Sequence, residues 1–219
     1  MAEICAYCGK LATTKDHVVA KCLLVNSELG VIVPACEACN NAKSRDDVYL
    51  RDVFTIRAET ANVPNMKSKS EKMERAALRD GFSSPGREIL GMISNQAVVS
   101  ESGDLKGFVY RAEARAERIL SGLQWIVKGL YFYHFKQVLS PDVTWKWWAY
   151  EGAENKQKYD LIWPIPIYNG PFLVGACLEY KVVAVKEIEC SKWLLTFFDR
   201  LFFIVSINEE KLRALSSNS

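Results

Sequence analysis

Two closely spaced cysteine pairs are the residues of this sequence most suited to chemistry. Cys5 and Cys8 form one Cys-x-x-Cys pair, Cys36 and Cys39 form a second, and 27 residues separate Cys8 from Cys36. Two such pairs supply four thiolates, the ligand set of a tetrahedral structural zinc site with Zn–S distances of about 2.3 Å. No βαβ pattern surrounds either pair, which argues against a thioredoxin-type redox site. The spacing therefore predicts one structural Zn²⁺ ion held by all four cysteines.

The elements that must position these cysteines can be read from the apolar pattern around them. Short β-branched runs at 18–20 and 31–33 predict two strands with a turn-prone segment between them. After the second cysteine pair the apolar residues take a helical period, through Tyr49, Leu50, Val53 and Ile56. The pattern alone therefore predicts a small strand–strand–helix unit clipped by zinc.

The order of motifs in this unit resembles the HNH endonuclease family. Cys-x-x-Cys, then Lys-Asp-His-Val, then Val-Pro-Ala-Cys-x-x-Cys-Asn with a lysine three residues further on is similar to its bacterial branch. In that branch four cysteines hold a structural zinc beside a ββα-metal nuclease fold. The resemblance spans the first quarter of the chain. It implies that His17 is the general base, that Asp16 and Asn40 hold a catalytic Mg²⁺ or Mn²⁺ ion, and that DNA phosphodiester bonds are hydrolysed.

Elementary chemistry is consistent with these roles. A histidine such as His17 has an ordinary pKa of about 6.5, so it is largely neutral and able to accept a proton at cellular pH. Asp16 and Asn40 offer oxygen ligands, which hard divalent metals prefer. Lys43 follows Asn40 by three residues on one helix face and is expected to contact a substrate phosphate, with Arg45 as a second candidate. Adjacent residues of a flat strand point to opposite faces, so a site shared by Asp16 and His17 needs local distortion.

The same polar residues also have structural interpretations. His17 can be a surface or packing residue, Asn40 can be a helix N-cap, and the basic residues after it can be solvated charges. The middle asparagine of the HNH family is missing, because the stretch 29–32 reads Leu-Gly-Val-Ile and the nearest asparagine is Asn26. The alternative function is therefore a catalytically inactive, zinc-clipped module that binds nucleic acid or protein.

The residues beyond the motif predict a region of helices and strands. The predicted elements are helices over 46–60, 66–79 and 113–138, a hairpin over 97–110, an alternating strand over 171–185 and two strands within 193–207. We therefore expect an α+β protein. Its zinc-clipped ββα-metal (HNH) module occupies residues 1–60, and a helical and antiparallel-sheet region at 61–219 recognises the substrate or a partner.

Several residues with chemical potential are instead predicted to serve packing. Cys22, Cys177 and Cys190 have no paired spacing and are expected to be small apolar core residues. His134 lies in an aromatic helical segment, where we expect one of its nitrogens to be hydrogen-bonded. The tryptophans of 145–148 can stack on single-stranded bases, but burial preferences favour the core.

Composition and charge exclude several classes of protein. The chain has 219 residues, a net charge of +2 and 49% hydrophobic residues, which is typical of globular domains and excludes fibrous and disordered chains. The most apolar stretch, 193–207, is interrupted by Asp199 and Arg200 and is shorter than the roughly 20 residues of a membrane span. The N-terminus lacks the pattern of a secretory signal. We expect a cytoplasmic protein without membrane contact.

The expected partners follow from the same resemblance. Nucleic acid, with DNA foremost, is the expected substrate, and a protein partner or a second copy of the chain are further candidates. Restriction and phage defence are the contexts that the resemblance implies.

Overall fold

The structure is a computed structural model that describes residues 2–24, 30–60, 62–80, 93–151 and 169–211. The α-helices of these ranges are α1 (Glu37–Ile56), α2 (Pro64–Asp80) and α3 (Ala116–Phe135), and two short 3-10 helices span Ala58–Thr60 and Lys186–Ile188. The strands are β1 (Thr14–His17), β2 (Ile32–Ala35), β3 (Ile93–Val99), β4 (Leu105–Ala112), β5 (Trp145–Glu151), β6 (Asn169–Val174), β7 (Leu178–Val185), β8 (Cys190–Phe197) and β9 (Leu201–Ile207). Mixed helices and antiparallel sheets confirm the predicted α+β class.

A strand–strand–helix unit occupies the part of the chain that carries the cysteine pairs. Strand β1 pairs with β2 in antiparallel fashion, with Asp16 opposite Val33 and His17 opposite Ile32, and α1 begins two residues after β2. The prediction of a first strand at 18–20 is wrong, because β1 ends at His17, the chain bends at the next two residues, and all three residues are buried outside the strand. The β-branched residues there fill the core, whereas the strand pairing is made by the more polar residues before them.

The chain divides into two compact units. The first unit combines Met1–Val48 with Leu120–Ser219, and the second is Tyr49–Ile119. The predicted division at residue 60 differs from this packing division, because most of α3 belongs with the start of the chain. The sequence pattern could not indicate this, since more than 70 residues separate the two segments.

The first unit contains a five-stranded antiparallel sheet with the strand order β5-β9-β8-β7-β6. The side chains of Trp193 and Val205, on neighbouring strands of this sheet, have no exposed surface. The two strands predicted within 193–207 are confirmed as β8 and β9. Asp199, which interrupts the apolar run, lies with Phe198 in the turn between them, and both have positive φ (56° and 55°).

The strand predicted over 171–185 is a hairpin in the structure. Strand β6 ends at Val174, β7 begins at Leu178, and Gly175 turns the chain with a φ of 56°. Val174 and Leu178 are paired across the hairpin and are both buried. Because they lie an even number of residues apart, the alternation of buried and exposed positions continues through the turn. The sequence therefore could not reveal the break.

The second unit contains the end of α1, helix α2, the hairpin β3–β4 and the first turn of α3. The predicted helix over 66–79 and the predicted hairpin are confirmed by α2 and by the β3–β4 pair. The Met66 side chain is fully buried, and its Sδ lies 3.7 Å from the Thr55 hydroxyl of α1. The predicted helix over 113–138 is likewise confirmed by α3, which starts in this unit and continues into the first.

The packing roles predicted for isolated reactive residues are largely confirmed. Cys177 and Cys190 have no exposed surface, while Cys22 is half-buried. The His134 Nε2 atom lies 2.8 Å from the Tyr180 hydroxyl, which satisfies one nitrogen of the ring as expected. Among the described residues, no helix has the length and apolar character needed to span a membrane.

Candidate metal centre and adjoining polar cluster

The four cysteines of the two pairs converge on one point. Their Sγ atoms all lie within 4.8 Å of one another, and those of Cys8 and Cys36 are 3.7 Å apart. Two sulfurs bound tetrahedrally to one zinc at about 2.3 Å are separated by about 3.8 Å, so the thiol arrangement fits a zinc ion. All four are free thiols rather than disulfides. The structure thus brings together the predicted ligand set of Cys5, Cys8, Cys36 and Cys39.

The first cysteine pair is held by a tight backbone turn. The Cys5 N–H donates to Lys10 O (2.7 Å) and the Gly9 N–H donates to Cys5 O (2.9 Å). Gly9 has a φ of 74°, a conformation that glycine adopts without strain. The Ala6 N–H donates to Pro34 O (2.8 Å), which ties the turn to β2 and places it beside the second pair.

The second cysteine pair is positioned by the start of α1. Cys36 lies immediately before the helix and Cys39 lies in its first turn. The backbone N–H of Cys39 lowers the pKa of the Cys36 thiol to about 7, whereas burial and the neighbouring thiols raise the pKa of Cys39. Zinc binding requires that both thiols lose their protons, and Cys36 loses its proton more readily than Cys39.

Asp16 is the centre of a polar cluster next to the cysteines. Its Oδ2 accepts a hydrogen bond from the Tyr7 hydroxyl (2.5 Å) and lies 3.5 Å from the Lys43 Nζ. Asp16 is 8% exposed. Burial and the Asp16 carboxylate raise the pKa of Tyr7, which keeps the phenol protonated as a donor. Because Tyr7 lies between Cys5 and Cys8, this hydrogen bond joins the metal centre to the Asp-His motif.

Lys43 does not occupy the position expected of a phosphate contact. Its side chain has no exposed surface, and its Nζ donates to His17 O (3.0 Å) and to Asp47 Oδ2 (2.6 Å). Burying an ammonium group is costly unless it is paired and hydrogen-bonded, and these contacts meet that need. Lys43 is therefore a structural cation that joins α1 to β1, which corrects the expected substrate contact.

Asp47 is the second carboxylate around Lys43. Burial raises its pKa from 3.8 to about 6, and the nearby Lys43 opposes that shift. Its buried Oδ1 atom has no hydrogen-bond partner among the residues that the structure describes. This carboxyl group therefore titrates close to neutral pH, in a cluster that also contains Asp16.

The His17 side chain is half-buried and lies beside Gly30. A Cβ atom at Gly30 would stand 3.5 Å from His17 Cδ2, an ordinary contact distance, and 3.1 Å from Leu24 Cδ1, which is tight. Burial and then the nearby Lys21 lower the pKa of His17, while Asp16 opposes the shift. The imidazole is therefore largely neutral at neutral pH, as a general base must be.

Asn40 lies within the first turn of α1 and is half-buried. Since its backbone N–H donates to Cys36 O (3.0 Å), it is a helix residue rather than the N-cap of the alternative interpretation. Within residues 2–24 and 30–60 no hydrogen bond links it to Asp16. Arg45 is exposed on α1, where its substrate contact stays a prediction. Asn26, the candidate for the missing middle asparagine, lies outside the described residues.

Helix α3 supplies residues to this region that the sequence pattern missed. Asp46 Oδ2 accepts hydrogen bonds from the Ser121 hydroxyl (2.6 Å) and from Trp125 Nε1 (3.0 Å). The rings of Trp125 and Tyr7 meet edge to face, with centroids 5.1 Å apart. Because 75 or more residues separate these hydrogen-bond partners, no local spacing could have indicated them.

Comparisons with protein-family models, with curated proteins and with solved structures give no significant match.

Proposed function

We propose that this protein is a metal-dependent endonuclease of the HNH type that hydrolyses phosphodiester bonds in DNA and contains one structural zinc ion. One observation supports the proposal: Asp16 of β1 accepts a hydrogen bond from Tyr7, which lies between Cys5 and Cys8 of the convergent four-cysteine cluster, and Asn40 follows Cys39 directly. The cysteines match a closed zinc site, and the adjoining polar residues supply the base and the oxygen ligands that phosphodiester hydrolysis needs.

His17 is assigned the role of general base. Its lowered pKa keeps the imidazole able to take a proton from water at neutral pH. The Lys43 ammonium holds the backbone carbonyl of His17 at 3.0 Å, so the base is anchored to α1 through its own main chain.

Asp16 and Asn40 are assigned to the catalytic divalent metal. Their carboxylate and amide oxygens form the donor set that Mg²⁺ or Mn²⁺ prefers. Tyr7 and Lys43 both contact Oδ2 of Asp16, so we assign Oδ1 to the metal. When bound, such an ion neutralises the charge that develops on the leaving oxygen.

The proposal is tested by incubating the purified protein with plasmid DNA, single-stranded DNA and RNA in the presence of Mg²⁺ or Mn²⁺. We expect cleavage of DNA by the wild type and cleavage at least about 10²-fold slower by His17→Ala. Lys15→Ala is a matched control, because Lys15 is an exposed residue of the same strand. A His17→Ala protein that cuts at the wild-type rate would refute the assignment of the base.

An inactive binding module is the second candidate, and the position of Lys43 favours it. The ammonium lies 3.5 Å from the carboxylate that would hold the catalytic metal, where its positive charge competes with a divalent cation. Under this alternative the wild type binds a fluorescent DNA duplex but leaves every nucleic acid intact at all concentrations of Mg²⁺ or Mn²⁺. Fluorescence anisotropy and the cleavage assay, run on the same preparation, distinguish the two functions.

A further inference from the structure

The Tyr7 side chain is held in one place by the residues that pack around it. It is 6% exposed, although it belongs to the turn between Cys5 and Cys8. The Trp125 ring of α3 meets the Tyr7 ring edge to face, with centroids 5.1 Å apart. A Cβ atom at Gly129 would lie 3.3 Å from the Tyr7 hydroxyl oxygen, so the α3 backbone also passes close to the end of the side chain. The phenol is therefore a rigid group rather than a mobile one.

The Tyr7 hydroxyl makes a charge-assisted hydrogen bond to the Asp16 carboxylate. It donates to Asp16 Oδ2 at 2.5 Å, the short end of the range for such bonds. Both side chains are buried, and a carboxylate removed from water needs hydrogen-bond partners inside the protein. Because its donor is rigid, this bond fixes the orientation of the carboxylate.

Lys43 is the other group beside Asp16 Oδ2, and its contact is of a different kind. The Lys43 Nζ lies 3.5 Å from Oδ2, beyond the 2.7–3.2 Å of an ordinary N–H···O hydrogen bond. The same ammonium donates to Asp47 Oδ2 at 2.6 Å and to His17 O at 3.0 Å. Of the two contacts to Oδ2, Lys43 thus supplies charge and Tyr7 supplies direction.

We propose that Tyr7 is a positioning residue for the divalent-metal site, whose hydroxyl holds Oδ2 of Asp16 and so leaves Oδ1 available to the metal. The inference rests on the assignment of Asp16 to the metal in the proposed function. Hydrogen-bonded partners outside the ligand shell commonly orient ligating carboxylates in this way. Because Tyr7 lies between Cys5 and Cys8, one side chain connects the structural zinc centre to the second metal site.

The experiment measures Mn²⁺ affinity by electron paramagnetic resonance in zinc-loaded, full-length wild type, Tyr7→Phe, Tyr49→Phe and Asp16→Asn. Tyr7→Phe removes one oxygen atom and keeps the ring that packs on Trp125. Tyr49→Phe is the matched control, because Tyr49 is also buried and its hydroxyl accepts a hydrogen bond from the Arg115 N–H (2.7 Å). We expect Tyr7→Phe to weaken Mn²⁺ binding by about 10–100-fold, the range typical of partners outside the ligand shell. Asp16→Asn should weaken it at least as much, and Tyr49→Phe should match the wild type.

A second measurement separates positioning from general damage to the fold. In plasmid cleavage by Tyr7→Phe, the Mn²⁺ concentration that gives half of the maximal rate should rise by the same factor as the dissociation constant. The maximal rate at saturating Mn²⁺ should change little, because the filled site holds the carboxylate in place. Zinc content and the thermal midpoint in excess zinc, measured for every variant, confirm that each protein is folded.

The outcomes that overturn the inference are distinguishable from a failure of the proposed function. If the wild type binds Mn²⁺, Asp16→Asn loses it and Tyr7→Phe keeps it, the role of Tyr7 is refuted and the metal assignment stands. Tighter binding by Tyr7→Phe, or an equal loss in Tyr49→Phe, would also refute the role. If the wild type binds no Mn²⁺, or Asp16→Asn binds it as tightly as the wild type, the metal assignment and the inference fail together.

Discussion

At the scale of single residues, the polar cluster shows how one cation organises the site. Lys43 contacts Asp16, Asp47 and the carbonyl of His17, so α1 and β1 are joined through one fully buried ammonium. Removing one partner of such a buried ion pair leaves an uncompensated charge, which typically costs about 3–5 kcal/mol. The cluster therefore constrains the position of the Asp16–His17 pair, whichever function the protein has.

The first prediction concerns the general base. Replacing His17 by alanine should lower the cleavage rate by at least about 10²-fold, because general-base assistance contributes about 10²–10⁴-fold. Since the pKa of His17 is lowered, the wild-type rate should stay high down to the ordinary value near 6.5 and fall only at lower pH, as the ring becomes protonated. The cleavage rate measured as a function of pH tests this prediction. Residual cleavage by His17→Ala should not show the fall at low pH that protonation of His17 causes in the wild type. Unchanged zinc content would show that the variant is intact.

The second prediction concerns Asp47, whose pKa is raised to about 6 in the folded protein. Between pH 4 and pH 6 the folded state holds a proton that the unfolded state has lost, so this group favours folding at low pH. Its contribution is lost as the pH rises through 6. From pH 5 to pH 8 the wild type should lose about 1–2 kcal/mol of stability that Asp47→Asn does not lose.

The measurement for Asp47 is urea denaturation of both proteins at pH 5 and pH 8 with zinc present. For each protein the change in unfolding free energy between pH 5 and pH 8 is determined. Subtracting the change for Asp47→Asn from the change for the wild type removes the contribution of cysteine protonation, which both proteins share. An identical pH dependence in the wild type and Asp47→Asn would contradict the raised pKa.

At the scale of elements, helix α3 forms part of the core and also contacts the start of the chain. Its own sequence indicates only the first of these roles. Its apolar period correctly predicts a long buried helix, and Leu123, Ile126 and Leu130 have no exposed surface. Its contacts with the motif at the start of the chain depend on Gly129, Trp125 and other residues that the same period does not distinguish. Helical periodicity identifies which face is buried but not which element covers it.

The third prediction concerns the close approach at Gly129. Alanine normally stabilises a helix interior relative to glycine, but here its methyl group would stand 2.8 Å from Val18 Cγ2. We expect Gly129→Ala to destabilise the protein by about 1–3 kcal/mol, the typical cost of overpacking. Val18→Ala removes the atoms that clash, so Gly129→Ala should cost much less in that background. A double-mutant cycle of unfolding free energies measures the coupling, and additive effects would contradict the contact.

At the scale of the whole molecule, the metal centre is the feature on which the start of the chain depends. The described segment before β1 contains few large apolar residues, and Ile4 and Leu11 are exposed there. A segment with so small a core gains much of its folding free energy from its metal. The four cysteines join this segment to the start of α1, where the Glu37 N–H also donates to Thr13 Oγ1 (3.2 Å).

The fourth prediction concerns zinc content and folding. The purified protein should contain about one zinc per chain, as a closed four-thiolate site requires. Cys36→Ser should lose zinc and unfold at a clearly lower temperature, because the metal stabilises the local fold. Cys22→Ser is the control, since Cys22 lies outside the cluster and should keep the wild-type zinc content. Elemental analysis and thermal melts measure both effects, and a Cys36→Ser protein with normal zinc and stability would rule out the site.

The sequence by itself determined the four-cysteine ligand set, the α+β class and most of the helices and paired strands. The helices, the strands and each Cys-x-x-Cys pair follow from short spacings, where neighbours in sequence are neighbours in space, and the ligand set follows because two such pairs together supply the four ligands of one zinc ion. Only the tertiary structure decided that Lys43 is buried among Asp16, Asp47 and the His17 carbonyl, and that α3 packs on Val18 and Tyr7. The reason is physical: a charged side chain is predicted to be exposed unless the groups that pair with it are known. Those of Lys43 and Asp46 lie up to 79 residues away, where packing rather than local pattern sets the contact.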